Sequence, residues 1–370
     1  MGFTYVEDTK NIQPNVELNS LVNNKLRNGK ATEDVEIFSK MVWGKDTTKY
    51  GTRVDTVLEN VKKIADKANN GDVASQAEIN SITTVTLQQP LMQRMQLNSF
   101  LGNTTVVGYD EALRFEYYEM QGEFSRDQAA SGAAVIPTVK KSTDYASTRT
   151  ASGGISIDYR EMSAGAIDGF ARAAEQVVTS ITNQIVLANI TALHDAVVAA
   201  TTMKNYAAGI TGTNVDAVLK IARRWGSVTM LGDYSAVSKI ADLTGFLVNS
   251  ATATERRFSE ETMNEIMRTG LIKNYKGTAV VEIPNTYDIT TLNAAGNFYK
   301  PYMPTTDLWF IPQGQVAALQ CVYRGGLSSI TGVDLNTRSN VTIYDCCYGN
   351  KVIPQYIPLV GCIYDSSLAE

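Results

Sequence analysis

Residues 121–145 read QGEFSRDQAASGAAVIPTVKKSTDY, and how this stretch is read decides the fold. Before it, in LRFEYYEM, Leu113, Phe115 and Tyr117 alternate with Arg114 and Glu116. After it, in ASTRTASGGISIDYR, Ile155, Ile157 and Tyr159 alternate with Ser156 and Asp158. Alternation at a period of two marks strands. The pair predicts a hairpin whose connection, about 25 small, charged and flexible residues, far exceeds an ordinary hairpin loop.

A two-stranded ribbon standing alone is marginal in water. At about 3.3 Å per residue each arm reaches on the order of 40 Å, so a surface other than its own domain must cover its outer part. Charge fits a working ribbon. Residues 113–127 carry Arg114 and Arg126 against Glu116, Glu119, Glu123 and Asp127, while 140–160 carry Lys140, Lys141, Arg149 and Arg160 against Asp144 and Asp158. One arm is net acidic and the other net basic, so the arms attract across the ladder. A finger laid on the next copy of the chain is a heterologous contact, which propagates into a ring or lattice. Glu123, Phe124, Arg126, Asp127, Lys140, Lys141 and Asp144 are its expected contact residues. A substrate lid or an unstructured insertion is the competing reading.

Composition narrows the remaining classes. The chain has 370 residues, 44% of them hydrophobic and 19% charged, enough for two or three compact units and a sizeable core. The longest apolar runs, such as 185–188 and 196–200, are far shorter than a bilayer span. MGFTYVEDTK lacks a signal peptide's apolar stretch and carries Val6 where myristoylation wants Ser or Thr, so synthesis and use in a host cytoplasm are expected. A formal charge of −5 gives no basic footprint for nucleic-acid reading. Cys321, Cys346, Cys347 and Cys362 match no zinc spacing and are expected to be buried, reduced thiols.

Along the chain, residues 1–50 read as a polar, extended arm. Val54, Leu58, Val61 and Ile64 fall at helical spacing over 53–68, and NNGD at 69–72 ends that helix. TTVTLQQPLMQRM reads as a linker. After the finger, Ile167, Phe170, Ala174, Val177, Val178, Ile181 and Ile185 trace one face of a helix that persists to about Ala200, a rod of roughly 54 Å. Past Ile185 it is apolar almost all round, so its second half must be covered from more than one side. From 214 the pattern becomes α/β: helices in VDAVLKIARRW, DYSAVSKIADL (capped by Asp233) and SEETMNEIMRTG, strands in SVTML, GTAVVEI, DLWFI, VAALQCVYR, NVTIYDCCY and PLVGCIYD.

Catalytic signatures are missing. There is no G-x-x-x-x-G-K-[ST] loop and no G-x-G-x-x-G after a strand. His194, next to Asp195 in the long helix, has no Ser or Cys in a nucleophile motif to partner it and reads as a packed residue. Gly153-Gly154 reads as a strand bulge and Gly325-Gly326 as a turn. No cofactor, metal or catalytic residue is expected.

The order of elements resembles the major capsid protein of tailed double-stranded DNA bacteriophages, the Hong Kong 97-type fold. LRFEYYEM, AVIPTVKKSTDY and GGISIDYREMSAGAIDGF carry the likeness to the E-loop and the start of the spine helix. SVTMLGDYSAVSKIADL and YKGTAVVEIPN are similar to that family's A-domain units, and the likeness spans roughly 85–365. The resemblance implies an α+β fold with an N-terminal arm (1–80), an extended E-loop hairpin (113–160), a P-domain with a long spine helix (81–112, 161–210 and 317–345) and an α/β A-domain (211–316 and 346–370). It implies a shell subunit in the virion, not an enzyme, that self-assembles into hexamers and pentamers of an icosahedral head around double-stranded DNA, without sequence-specific DNA binding and without a membrane. Portal, scaffolding or decoration proteins are further partners of such shells. An encapsulin-like cargo compartment and a cytoplasmic α/β enzyme with a mobile lid are the alternatives. The arm is expected to be retained in the mature shell, with Val54, Leu58 and Val61 docked on a neighbour. Some shells of this type weld an E-loop lysine to an asparagine. Lys140 and Lys141, flanked by Ser142, Thr143 and Asp144, are in too polar a setting for a neutral amine and are expected to pair noncovalently.

Overall fold

The computed structural model describes residues 30–94, 98–121, 138–157, 162, 164, 168–200, 205–243, 246–247, 256–257, 271–313, 317–334 and 339–369. Helices α1 (Lys30–Val42), α2 (Arg53–Asn69) and α3 (Val73–Arg94) open it. α2 follows its sequence pattern: Val57, Val61, Ala65 and Ala68 recur every three or four residues and are buried. Two expectations are corrected. The second part of the supposed arm is helical, because Ile37, Phe38 and Val42 make an apolar face that joins the core, Phe38 lying 6.3 Å from Phe170 between ring centroids. The TTVTLQQPLMQRM segment, read as a linker, continues α3. Thr83 and Thr86 are buried there and turn their hydroxyls back to the carbonyls of Asn80 (2.9 Å) and Ile82 (2.8 Å), so a polar sequence makes an interior helix.

The short α4 (Asn98–Leu101) leads into β1 (Gly102–Val107), β2 (Arg114–Gln121), β3 (Thr138–Tyr145) and β4 (Arg149–Ile157). The long helix α5 (Asp168–Ala199) follows. Next come β5 (Tyr206–Ala208), α6 (Gly212–Ala222), β6 (Ser227–Gly232) and α7 (Tyr234–Asp242). Asp233 caps α7 as expected, accepting from the Ser235 N–H at 2.9 Å. β7 (Phe246–Leu247) and β8 (Arg256–Arg257) form a small pair. The helix expected in SEETMNEIMRTG lies outside the described residues. β9 (Asn274–Tyr275), β10 (Thr278–Glu282), β11 (Tyr287–Leu292), β12 (Tyr299–Pro301), β13 (Asp307–Gln313), β14 (Leu319–Asp334), β15 (Ser339–Val352) and β16 (Gly361–Tyr364) complete the chain.

Two sheets carry the body. One has the order β1-β14-β15-β4, the other β5-β16-β13-β6-β10-β9. Alternation places β6, β13 and β16 of the second sheet in two cores at once. Met230, Leu308, Phe310 and Ile363 pack under α6 and α7, while Leu231, Trp309, Ile311 and Cys362 pack against the far half of α5. That is why DLWFI is apolar without interruption. Helix α5 joins the two sheets. Its first half, through Phe170, Ala174, Val177, Val178, Ile181 and Ile185, shares a core with the first sheet and α1–α3; its second half, through Val186, Ile190, Leu193 and Val197, belongs to the core of the second.

The strand pairing corrects the hairpin. β2 pairs with β3, which lies inside the stretch read as a connection. β4, read as the returning arm, instead pairs with β15 over its whole length, from Arg149↔Tyr348 to Ile157↔Asn340. Both glycine readings are corrected as well. Gly153-Gly154 sits in this unshifted ladder, and α5 crosses close to Gly153: a Cβ there would stand 3.0 Å from Val177 Cγ1. The bulge is at Gly325-Gly326, where the β14–β15 register shifts between Arg324 and Ser328.

Candidate assembly surface

β2 and β3 run in register from Arg114↔Tyr145 to Gln121↔Thr138, and among the described residues no third strand pairs with either. Among the described residues the finger is held to the body near its base and at Tyr118. Leu113 and Phe115 pack with Val322 of β14 in a satellite core, and Ala146 N–H donates to the Leu113 carbonyl at 3.0 Å. Lys351 of β15 grips Asp144 and holds its carboxyl below the usual range. The Tyr356 hydroxyl donates to the Tyr118 carbonyl at 3.0 Å. Beneath the base, Tyr109 donates to the Gly326 carbonyl (3.0 Å) and its ring covers Gly325, whose φ of +67° and contact with that ring both require glycine.

Because residues directly opposite share a face, the register sorts the finger into two sides. Phe115, Tyr117 and Glu119 lie with Asp144, Ser142 and Lys140 on the side that enters the body. Arg114, Glu116 and Tyr118 lie with Tyr145, Thr143, Lys141 and Val139 on the other. On this second side Tyr118, Val139 and Tyr145 are 58%, 59% and 60% exposed. The charges between them are paired within the finger: Lys141 Nζ is 2.6 Å from Glu116 Oε2 and Arg114 is 3.1 Å from Glu116 Oε1. The Lys141 ammonium accordingly lowers the Glu116 pKa. Three apolar side chains thus stand in the open around charges that already have partners, which reduces the desolvation that a covering surface must overcome.

Of the expected contact residues, Lys140, Lys141 and Asp144 lie on this hairpin, Lys140 opposite Glu119. Glu123, Phe124, Arg126 and Asp127 lie outside the described residues. Of the expected contacts on α2, Val61 is buried in the chain's own core and Val54 packs against that core, because α1 and α3 cover the apolar stripe. Leu58 is half-buried outside that cluster. The sequence reading missed the exposure of Val139 and Tyr145, and also missed Ile330 and Ile343, which face each other across β14 and β15 and are both exposed. For Ile330 a lone β-branched residue in the polar stretch LSSITG was the only signal.

His194 is packed, as expected, edge-on to Trp309 and Tyr364 with ring centroids 6.3 and 6.2 Å away. Cys321, Cys346 and Cys362 are buried and Cys347 half-buried, all four unbridged. Burial pushes the Cys321 and Cys346 thiols up to about 12, so both stay protonated. No described helix is long and apolar enough to cross a membrane.

Residues 17–360 match the model of a family described as "SPbeta prophage-derived putative capsid protein YonB". No curated protein matches the chain in sequence. Among solved structures, the chain is similar to the capsid of the cyanophage P-SCSP1u at 10% identity, covering 73% of this chain and 88% of that one with a TM-score of 0.44. It is similar to a protein of Microbacterium phage Oxtober96 at 8% identity, covering 72% and 90%, TM-score 0.46. It is also similar to a virus-like particle from Pyrococcus furiosus at 12% identity, covering 75% and 97%, TM-score 0.41.

Proposed function

The chain belongs to this family of prophage-derived capsid proteins, and from that premise we propose that it is the major head subunit of a tailed phage, of the Hong Kong 97 type. Its role is structural, not catalytic. Copies associate as hexamers and pentamers of an icosahedral shell that encloses double-stranded DNA, with the portal, scaffolding and decoration proteins of such heads as further partners. In this reading the two-stranded finger is the E-loop, the sheet containing β4, β14 and β15 with α5 is the P-domain, and the second sheet with α6 and α7 is the A-domain.

One observation carries the proposal: the exposed side of the finger, where Tyr118, Val139 and Tyr145 surround internally paired charges. A ribbon of this kind is stable when a second surface covers it, and a neighbouring copy supplies that surface at every position of a closed lattice. Leu58, half-buried on α2 and outside the core that takes Val54 and Val61, forms a second contact in this proposal. A net charge of −5 suits a wall that lies beside DNA without gripping it.

Negative-stain microscopy of the purified chain, followed by nuclease treatment and nucleic-acid extraction from particles made during infection, tests the proposal. Closed shells that protect DNA are expected. Shells that hold protein cargo and no DNA under the same conditions, or a chain that stays monomeric at high concentration, would overturn it.

A further inference from the structure

We propose that His194, Asp307 and Cys362 form a binding site for a divalent transition metal of the zinc class, which ties α5 to the second sheet. The three side chains come from three elements: α5, the start of β13 and β16. Register explains their meeting. Trp309 stands opposite Cys362, so Asp307, two residues before Trp309, shares the face on which Cys362 lies, and α5 covers that face with His194. Their ligand atoms all lie within 4.8 Å of one another, and His194 Nδ1 is 3.1 Å from Asp307 Oδ2.

The donor set selects the metal. An imidazole nitrogen, a thiolate sulfur and a carboxylate oxygen suit zinc and its cobalt substitute, whereas magnesium and calcium demand six or more oxygens. A tetrahedral ion with bonds of about 2.0–2.3 Å holds its ligand atoms about 3.2–3.6 Å apart. The nitrogen–oxygen edge, at 3.1 Å, falls just short of that length. The sulfur edges are at most 4.8 Å, so each needs to close by no more than about 1.5 Å, within reach of a small side-chain rotation. The thiol proton of Cys362 leaves to solvent as the metal–sulfur bond forms.

The surroundings are those of a built site. Asp307 is 3% exposed, and the Thr306 hydroxyl donates to its other oxygen, Oδ1, at 3.0 Å, which orients Oδ2 toward His194. The His194 side chain is 29% exposed and supplies the entry path. Tyr206 faces Cys362 across the parallel β5–β16 ladder, so its phenol or a water completes four ligands. The site is separate from the finger and does not depend on the shell reading.

The test uses the full chain, stripped with a chelator and titrated with cobalt(II). A sulfur-to-cobalt absorption band in the near ultraviolet is expected, saturating at about one ion per chain, with zinc displacing the cobalt. Zinc is expected to raise the thermal midpoint of the parent. Cys362→Ser is expected to lose the band, and His194→Gln to weaken cobalt binding by at least about tenfold. No near-ultraviolet band in the parent would overturn the proposal, whether or not the variants fold. A band of full intensity in Cys362→Ser, or a thermal midpoint in the parent indifferent to zinc, would overturn it as well.

Discussion

Replacing residues 116–143 by a four-residue turn separates the finger's part in assembly from its part in folding. The cut is set by register: Glu116 lies opposite Thr143, so Phe115 and Asp144 remain facing each other and a short turn closes them. No residue known to be buried is removed, since Leu113 and Phe115, the finger's contribution to the core, stay behind. Asp144 keeps Lys351. Between removed and retained residues the described losses are one exposed hydrogen bond, from Tyr356 to the Tyr118 carbonyl, worth about 0.5 kcal/mol once water replaces it, and the solvent-exposed ion pair of Arg114 with Glu116. Shortening the excursion about sevenfold recovers up to (3/2)RT ln 7, about 1.7 kcal/mol, to the extent that the free finger is loosely ordered. The variant subunit is therefore expected to be between unchanged and about 1 kcal/mol more stable in urea unfolding. It should form no regular shells by microscopy. A variant destabilised by more than about 2 kcal/mol would show that the finger is part of the folding core. Regular shells from the variant would refute the assembly role.

Three further outcomes follow from the geometry. Gly153→Ala is expected to cost about 1–2 kcal/mol and Gly153→Val more than about 3, because α5 leaves a Cβ only 3.0 Å from Val177 Cγ1; equal cost for the two by urea denaturation would contradict this. At Asp365, burial pushes the carboxyl up, but the Ser367 hydroxyl, the Lys239 ammonium at 2.9 Å and the Ile210 N–H together hold it well below the usual range. A depressed folded pKa stabilises above the unfolded value and is lost as pH falls through the folded one, so Asp365→Asn should cost about 1–3 kcal/mol at pH 7. That gap should narrow only below about pH 4, and narrowing already between pH 7 and 5 would contradict it. Boiling shells in denaturant should give a single gel band near 40.3 kDa, since Lys141 is an ammonium paired with Glu116; a covalent ladder would refute noncovalent lysines.

Much of the fold was legible wherever one element had one covered face. α2, α6 and α7 carry their apolar residues at helical spacing because each packs on one side, and α5 and strands such as DLWFI are more broadly apolar because two cores claim them. The errors have the opposite cause. TVKKSTDY has no apolar alternation because the residues on its inner side, such as Ser142 and Asp144, are polar and only half-buried, while Val139, Lys141, Thr143 and Tyr145 on the other are exposed, so it read as loop. ASTRTASGGISI does alternate, because α5 covers one side of β4, and that pattern drew the hairpin pairing to the wrong strand. α3 failed as a prediction because its interior threonines satisfy their hydroxyls within the helix, a device that polarity alone does not reveal. The likeness to a head protein survived these local errors because it rested on the order of elements.

The continuity of β3 into β4 has a mechanical consequence. A pull on the fingertip travels down β3, through Ala146–Thr148, and along the axis of β4, whose nine residues are bonded side by side to β15. Backbone bonds in an antiparallel ladder lie across the strand, so such a pull loads them in shear, all together, instead of peeling them one at a time. The force then passes into α5 at Gly153 and Val177 and is spread over both cores. In a closed shell under outward load, β3 would work as a tension member anchored in the sheet of β4, β14 and β15.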